Sequence, residues 1–380
     1  MSKTLKQHFP MIRDRLELQM EIESNPDLKA VFESWIPERQ KEFLDICTGV
    51  RGMKFLYDSF FKEILNPEYT PERLESLLSI LLREDVTILE TLPADSTRIA
   101  DETSLLIMDI VVRLSDGTIV NLEVQKIGYR FPGARSACYS ADLLLRQYKR
   151  SRSEQKRLNK NFNYKNIKGV YTIIFFEHSP TSFHEFPDSY LHYFEQVSDT
   201  GLRLDLLQKY LFIPLDIFKE KQQNKDKKIE GILEAWLTFL SEDDPEKILH
   251  LIETYPQFKA MYEDAYSLCL NVEEVMQMFS KELAELDRNT VQLMIDEMEE
   301  ELEGKRKELE GASKELESAS KELESKSKEL ESKSKELEGL RLKEVEMITR
   351  IYHSVQDIKK AAEMLGIPEQ EVKEAVEYAK

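Results

Sequence analysis

The chain has 380 residues, 41% of them hydrophobic and 33% charged, with a formal net charge of −19. That length exceeds one ordinary compact domain, while the apolar fraction suffices for a sizeable core. Cys47, Cys138 and Cys269 are scattered, with no CxxC pair, which excludes a disulfide framework or a zinc module and points to reduced thiols in a cytoplasmic protein.

The opening MSKTLKQHFPMIRDRLELQM carries acidic residues and no long apolar run, unlike a signal peptide. No later stretch approaches the roughly 20 apolar residues that span a bilayer, so no membrane partner is expected. Residues 1–52 read as an N-terminal helical extension anchored by Trp35 and Phe43. KFLYDSFFKEIL has helical apolar spacing, and PERLESLLSILLRE follows with Thr70 as N-cap and Pro71 at the first helical position. The pattern then changes to strands: LLIMDIVVRL, an SDG turn and TIVNLEVQKI form a hairpin. A helix begun near Pro132 comes next, then GVYTIIFF as a buried central strand and YLFIPLDIF as a further strand. This order over residues 53–222 is α/β.

Residues 225–290 are helical by pattern, with Trp236, Phe239, Ile248, Tyr262 and Phe279 as core positions. Residues 291–343 form a heptad-repeat spacer in which Leu302, Leu309, Leu316, Leu323, Leu330 and Leu337 recur every seven residues. Glu317–Lys321, Glu324–Lys328 and Glu331–Lys335 are i,i+4 pairs in the favourable order. The second seam position passes from Ala312 and Ala319 to Lys326 and Lys333, which leaves a weak coiled coil and a solvated single helix both open. Residues 344–380 have helix-turn-helix spacing, with Gly366 as a cap and Pro368 opening the last helix. Glu369, Glu371, Glu374 and Glu377 make that helix acidic, so it suits a protein contact or oligomerisation better than a DNA groove. A homo-oligomer assembled through the C-terminal helices is expected.

The chemistry sits in DIVVRLSDGTIVNLEVQ. A three-residue loop, Ser115-Asp116-Gly117, with a left-handed glycine makes Leu114 face Thr118 and puts Asp109 opposite Glu123. Gln125 shares their face, because strand side chains alternate. A two-residue Asp116-Gly117 turn would shift the register and separate the acids. Opposed carboxylates repel unless a cation lies between them, and hard oxygen donors suit Mg²⁺ or Mn²⁺. The bland alternative is a polar, solvent-facing strand surface. From Lys126 to Lys168, twelve basic residues, Arg146, Lys149 and Arg150 among them, face only Asp142 and Glu154. Such a block is either a phosphate-neutralising surface or a solvated loop. Arg135, Tyr139, Asp142 and Arg146 fall on one helical face, read either as a phosphate-contacting face or as internal ion pairing.

Asp109, then Glu123-Val124-Gln125, then Arg135-x-x-x-Tyr139, together with Asp58-Ser-Phe-Phe-Lys62 ahead of them, resembles the PD-(D/E)XK nuclease superfamily. More narrowly it resembles the Rpn-type recombination-promoting nucleases, also described as transposases, over residues 53–220. The resemblance implies a restriction-endonuclease-like core, a mixed sheet flanked by helices, and the helical region, heptad helix and C-terminal hairpin read above follow it. It implies a DNA endonuclease using Mg²⁺ or Mn²⁺, with Asp109, Glu123 and Gln125 as catalytic residues. Asp109 and Glu123 would bind the metal, with Asp58 a further or supporting ligand, an N-cap or a surface residue. On the phosphate-contacting reading of the helical face and basic block, Arg135, Tyr139, Arg146, Lys149 and Arg150 would meet DNA. Gln125 stands where the wider superfamily has a lysine, an exchange usual in the Rpn-type branch, and the general base is left unassigned. A DNA- or protein-binding adaptor with little catalysis is the alternative.

Overall fold

The computed structural model describes residues 5–93, 109–127, 132–224 and 228–379. Three helices open it: α1 (Arg15–Ser24), α2 (Pro26–Ser34) and α3 (Pro37–Cys47). Asn25 caps α2 by accepting from the amides of Asp27 and Leu28, and Pro26 supplies a preset φ at the first helical position. α4 (Asp58–Ile64) and α5 (Pro71–Leu82) follow. α5 starts after Thr70 as expected, although the Thr70 side chain makes no capping bond.

The sheet has six strands: β1 (Ile88–Thr91), β2 (Ile110–Leu114), β3 (Ile119–Ile127), β4 (Val170–His178), β5 (His192–Phe194) and β6 (Gln208–Pro214). Their order is β1-β2-β3-β4-β6-β5, with β3, β4 and β6 parallel at the centre and antiparallel pairs outside them. The parallel step from β3 to β4 requires a crossover, and α6 (Pro132–Arg157) provides it. β4 is buried along nearly its whole length, as its unbroken apolar run predicts. After β6 come α7 (Leu215–Asn224), α8 (Ile232–Ser241), α9 (Pro245–Thr254), α10 (Gln257–Leu268) and α11 (Val272–Val355).

One sheet face and the surrounding helices share a single core. It joins Phe9, Trp35 and Phe43 to Val112, Val120 and Phe175 of the sheet, and to Phe239, Tyr262 and Phe279. The sequence boundaries near residues 52 and 225 therefore mark changes of pattern rather than gaps in packing, and the chain divides instead into Met1–Asp296 and Glu297–Lys380. Gly52 shows how closely the extension and the helical region approach. Its amide donates to the Asp243 carbonyl at 2.7 Å, and a Cβ there would lie 2.2 Å from Ile248 Cδ1. The opposite sheet face carries Val111, Ile119 and Val170, which pack on Tyr139 and Leu143 of α6.

In the second unit α11 carries the heptads. Leu302, Leu309, Leu316, Leu323, Leu330 and Leu337 are 68–76% exposed, and i,i+4 ion pairs run along the helix surface. Glu317–Lys321 (2.7 Å), Glu324–Lys328 (2.6 Å) and Glu331–Lys335 (2.7 Å) all form. α12 (Ile358–Leu365) ends at Gly366, left-handed at φ 66°, and α13 (Glu369–Tyr378) follows Pro368. Ile348, Ala361, Ala362, Val372 and Ala375 make the small core of this hairpin.

Candidate active site

The β2–β3 turn fixes the position of the acids. Leu114 N–H donates to the Thr118 carbonyl at 2.8 Å and Gly117 N–H to the Leu114 carbonyl at 2.9 Å. Gly117 has φ 93°, a conformation that L side chains rarely adopt, and Asp116 accepts from Thr118 N–H at 2.9 Å. Gln147 of α6 donates to the Gly117 carbonyl at 2.6 Å, pinning the loop to the helix. The resulting register pairs Ile110 with Leu122 and Val112 with Val120, so the three-residue loop is the one adopted. One step beyond Ile110, Asp109 meets Glu123: Asp109 N–H donates to Glu123 Oε1 at 3.3 Å, and Val124 N–H donates to Asp109 Oδ2 at 2.7 Å.

Around this pair the face is polar and buried. Asn121, Glu123 and Gln125 are at most 3% exposed, and Asn121 Nδ2 donates to Glu123 Oε1 at 3.0 Å. α4 contributes from the other side. One helical turn separates Asp58 from Lys62, and Lys62 Nζ lies 2.7 Å from Asp58 Oδ1 and 3.2 Å from Asp109 Oδ1. Although burial would lower the pKa of Lys62, Asp109 and Asp58 hold it raised, so the ammonium stays charged. At the N-terminus of α6, Arg135 Nε donates to the Tyr139 hydroxyl at 2.8 Å.

Burial pushes the Asp109 carboxyl up to about 7, with the charge of Asp58 adding to it and Lys62 and Val124 N–H opposing. Burial likewise pushes Glu123 up to about 8, with Asp109 adding to it and Asn121 and Arg135 opposing. Without a cation, full ionisation of this pair is unfavourable.

A family model of PD-(D/E)XK nuclease family transposases matches residues 55–294, more than half of the chain. The chain belongs to that family. The match runs from just before α4 into α11, so the PD-(D/E)XK region takes in α8, α9 and α10 as well as the sheet. Neither a curated protein nor a solved structure matches the chain.

PD-(D/E)XK nucleases generally use divalent metals. Among the described residues no group of three or more His, Cys, Asp and Glu forms a ready cation cluster. The donor set nonetheless fits a hard dication. Asp109 and Glu123 offer carboxylate oxygens, and the buried Gln125 amide has neither its oxygen nor its nitrogen hydrogen-bonded. Asp58 is the first helical residue of α4, whose N-cap is Tyr57, so it is not the N-cap, and its carboxylate neighbours Asp109.

The expected DNA-contacting residues divide. Tyr139 is 1% exposed within the α6–sheet core, which leaves its ring no surface for DNA. Arg146 faces inward, 2.8 Å from Asp142, and donates to the Pro93 carbonyl at 2.7 Å, which is the ion-pairing arrangement. Arg150 pairs with Glu90 on β1. Lys126 is 8% exposed and pairs with Glu282 of α11 rather than joining the basic surface. Arg130 lies outside the described residues. Lys149 is exposed, as are Arg152, Lys156, Arg157, Lys160, Lys165 and Lys168.

The sequence reading missed Lys62 and Glu282 as site residues. The i,i+4 spacing of Asp58 and Lys62 was visible, but their approach to Asp109 is tertiary. Ser179, His184 and Asp216 also cluster, yet a single ring nitrogen, His184 Nε2, faces both Ser179 Oγ (3.2 Å) and Asp216 Oδ2 (3.4 Å). A relay needs the two ring nitrogens to serve different partners, so this trio is structural.

Proposed function

We propose that the chain is a divalent-metal-dependent endodeoxyribonuclease that hydrolyses backbone phosphodiesters in recombination or in the movement of mobile DNA. The observation that carries this reading is the placement of Asp109 opposite Glu123, with Lys62 3.2 Å from Asp109. Asp109, Glu123 and the Gln125 carbonyl oxygen would hold Mg²⁺ or Mn²⁺, with Asp58 beside them. Such an ion supplies Lewis-acid stabilisation of phosphate charge and acidifies water.

The chain's own groups supply the rest. Gln125 orients by hydrogen bonding alone, since an amide is neither acid nor base at neutral pH. Lys62 brings from α4 the positive charge that Gln125 lacks. Its raised pKa suits it to stabilising negative charge at phosphate rather than to taking a proton. Arg135, held by Tyr139, adds a second cation beside Glu123. The C-terminal helices are read as a homo-oligomerisation element, on the strength of the exposed leucine row, and a dimer would let two sites cut opposite strands.

Nicking of supercoiled plasmid with Mg²⁺ or Mn²⁺ tests this reading. Asp109→Ala is expected to lose at least about a hundredfold in rate, because it removes a metal ligand. Lys62→Met is expected to slow cutting by about ten- to a hundredfold, with Lys62→Arg retaining part of it. Equal cutting by wild type and Asp109→Ala would reject the site. DNA binding with no cutting by any form would select the adaptor reading.

A further inference from the structure

At the far end of α6 from the acid pair, three aromatic rings meet on the surface. Asn159, left-handed at φ 55°, turns the chain back after α6. Asn163 then accepts from Lys165 N–H at 2.9 Å to start a short 3-10 turn, Tyr164–Asn166. This return brings Phe162 within 5.3 Å of the Tyr148 ring, measured between centroids and edge-on at 82°. Tyr164 lies edge-on to Phe162 at 5.1 Å and near-parallel to Tyr148, at 23° and 6.3 Å. Arg152 reaches the Tyr148 hydroxyl at 3.2 Å.

A cluster that served only to fasten this loop would bury its rings. Tyr164 is instead 72% exposed, the most exposed ring of the three. Exposed cations run along α6 and its return loop: Lys149, Arg152, Lys156, Lys160, Lys165 and Lys168. Acids stand on one side, where Glu84, Asp116 and Asp205 line a cavity with Tyr164, Lys165 and Lys168. Glu154 pairs with Arg113 at 3.3 Å, and Asp116 binds Thr118.

We infer that this surface binds single-stranded DNA, with Tyr164 stacking on an unpaired base and the surrounding lysines tracking the phosphates. Cationic side chains alone would suit any nucleic acid, since they meet only the backbone. A projecting ring has no partner on an intact duplex, whose base faces are already stacked, whereas an unpaired base offers its π-face. Thirteen residues of α6 separate Arg135 from Tyr148, about 20 Å of helix. This is about six nucleotide steps at the 3.4 Å spacing of a strand in duplex DNA. The inference rests on the nuclease reading for the choice of DNA, and it adds that the substrate carries an unpaired stretch near the cut.

Binding of the full chain in EDTA, where a metal-dependent enzyme cannot cut, separates this inference from the nuclease reading. The probes are a labelled oligothymidylate long enough to span the patch and a duplex of the same length. Tyr164→Ala should weaken oligothymidylate binding by about five- to a hundredfold and leave duplex binding unchanged. Tyr164→Phe should bind like wild type. Lys165→Gln should weaken both probes alike, as loss of a phosphate contact does. Tyr164→Trp keeps a stacking face and should show indole quenching by oligothymidylate above that of the wild type. Equal loss on both probes in Tyr164→Ala, loss on neither, or absence of quenching in Tyr164→Trp would overturn the proposal. These results stand whether or not Asp109→Ala abolishes nicking.

Discussion

Replacing Glu282 by alanine is expected to destabilise the first unit by about 3–5 kcal/mol, the usual cost of breaking a buried ion pair from one side. Glu282 is 2% exposed on α11. Oε1 pairs with Lys126, whose ammonium also lies 4.3 Å from the Tyr57 ring centroid. Oε2 accepts from Asp58 N–H at 2.9 Å, at the first residue of α4. Truncation would deprive a buried lysine of its carboxylate and remove an acceptor from a helix start, where orphan amides need one. Because strand side chains alternate, Gln125 faces the acid pair while Lys126 faces Glu282, so one strand end is held on both faces at the site. Glu282→Ala should therefore reduce nicking at temperatures where the protein remains folded, since Asp58 and Lys62 both sit on α4. The double replacement Lys126→Met with Glu282→Leu should recover the part of the stability tied to the ion pair, because apolar side chains of similar volume can replace a buried pair, but not the part tied to Asp58 N–H, which still lacks its acceptor. Urea unfolding read by tryptophan fluorescence measures both effects. An unchanged midpoint in Glu282→Ala would show that the pair is not buried in solution.

The legible part of the sequence was the part governed by local rules. Asp116-Gly117 flanked by alternating apolar residues marked a hairpin but left two registers open, and the register with the three-residue loop is what sets Glu123 opposite Asp109. Proline at the starts of α5 and α6 and glycine after α12 marked helix ends through backbone chemistry alone. β1 and β5 escaped because both are short and mostly exposed, so neither carries an apolar alternation to read. The direction of a charged side chain was equally hidden. Lys126 and Lys149 look alike in a basic run, yet one is buried against α11 and the other exposed, and only the tertiary packing of α11 decides between them. Arg135 and Arg146 shared a predicted face, but one meets the site through Tyr139 and the other an ion pair with Asp142. Glu282 lies in a stretch whose pattern reads only as helix, and its role appears once that helix reaches the end of β3 and the start of α4.

Asp109→Asn should abolish nicking while making the metal-free protein more stable above about pH 8. The sign follows from where the two carboxyls titrate. Asp109 is raised to about 7 and Glu123 to about 8, so between pH 4 and 8 the folded state holds protons that the unfolded chain releases. Stability tied to these protons is present below the unfolded carboxylate values and is lost as pH rises through the folded ones. For wild type in EDTA this loss is on the order of a few kcal/mol between pH 5 and 9, since each tenfold difference in proton affinity between folded and unfolded chain is worth about 1.4 kcal/mol. Asparagine keeps an oxygen to accept from Val124 N–H but carries no charge, so it removes the repulsion on Glu123 and flattens the profile. A bound dication should act on wild type in the same direction, by making full ionisation of the pair favourable, and it binds only the folded form. Thermal melts at pH 5 and 9, with EDTA or Mg²⁺, distinguish these effects. Mg²⁺ is expected to raise the melting temperature of wild type at pH 9 by several degrees and that of Asp109→Asn by much less. Equal Mg²⁺ effects on the two proteins would place the ion elsewhere. If instead Asp109→Asn melts below wild type in EDTA at pH 9, the carboxylate would be a structural anchor rather than a ligand held in an unfavourable state for the metal.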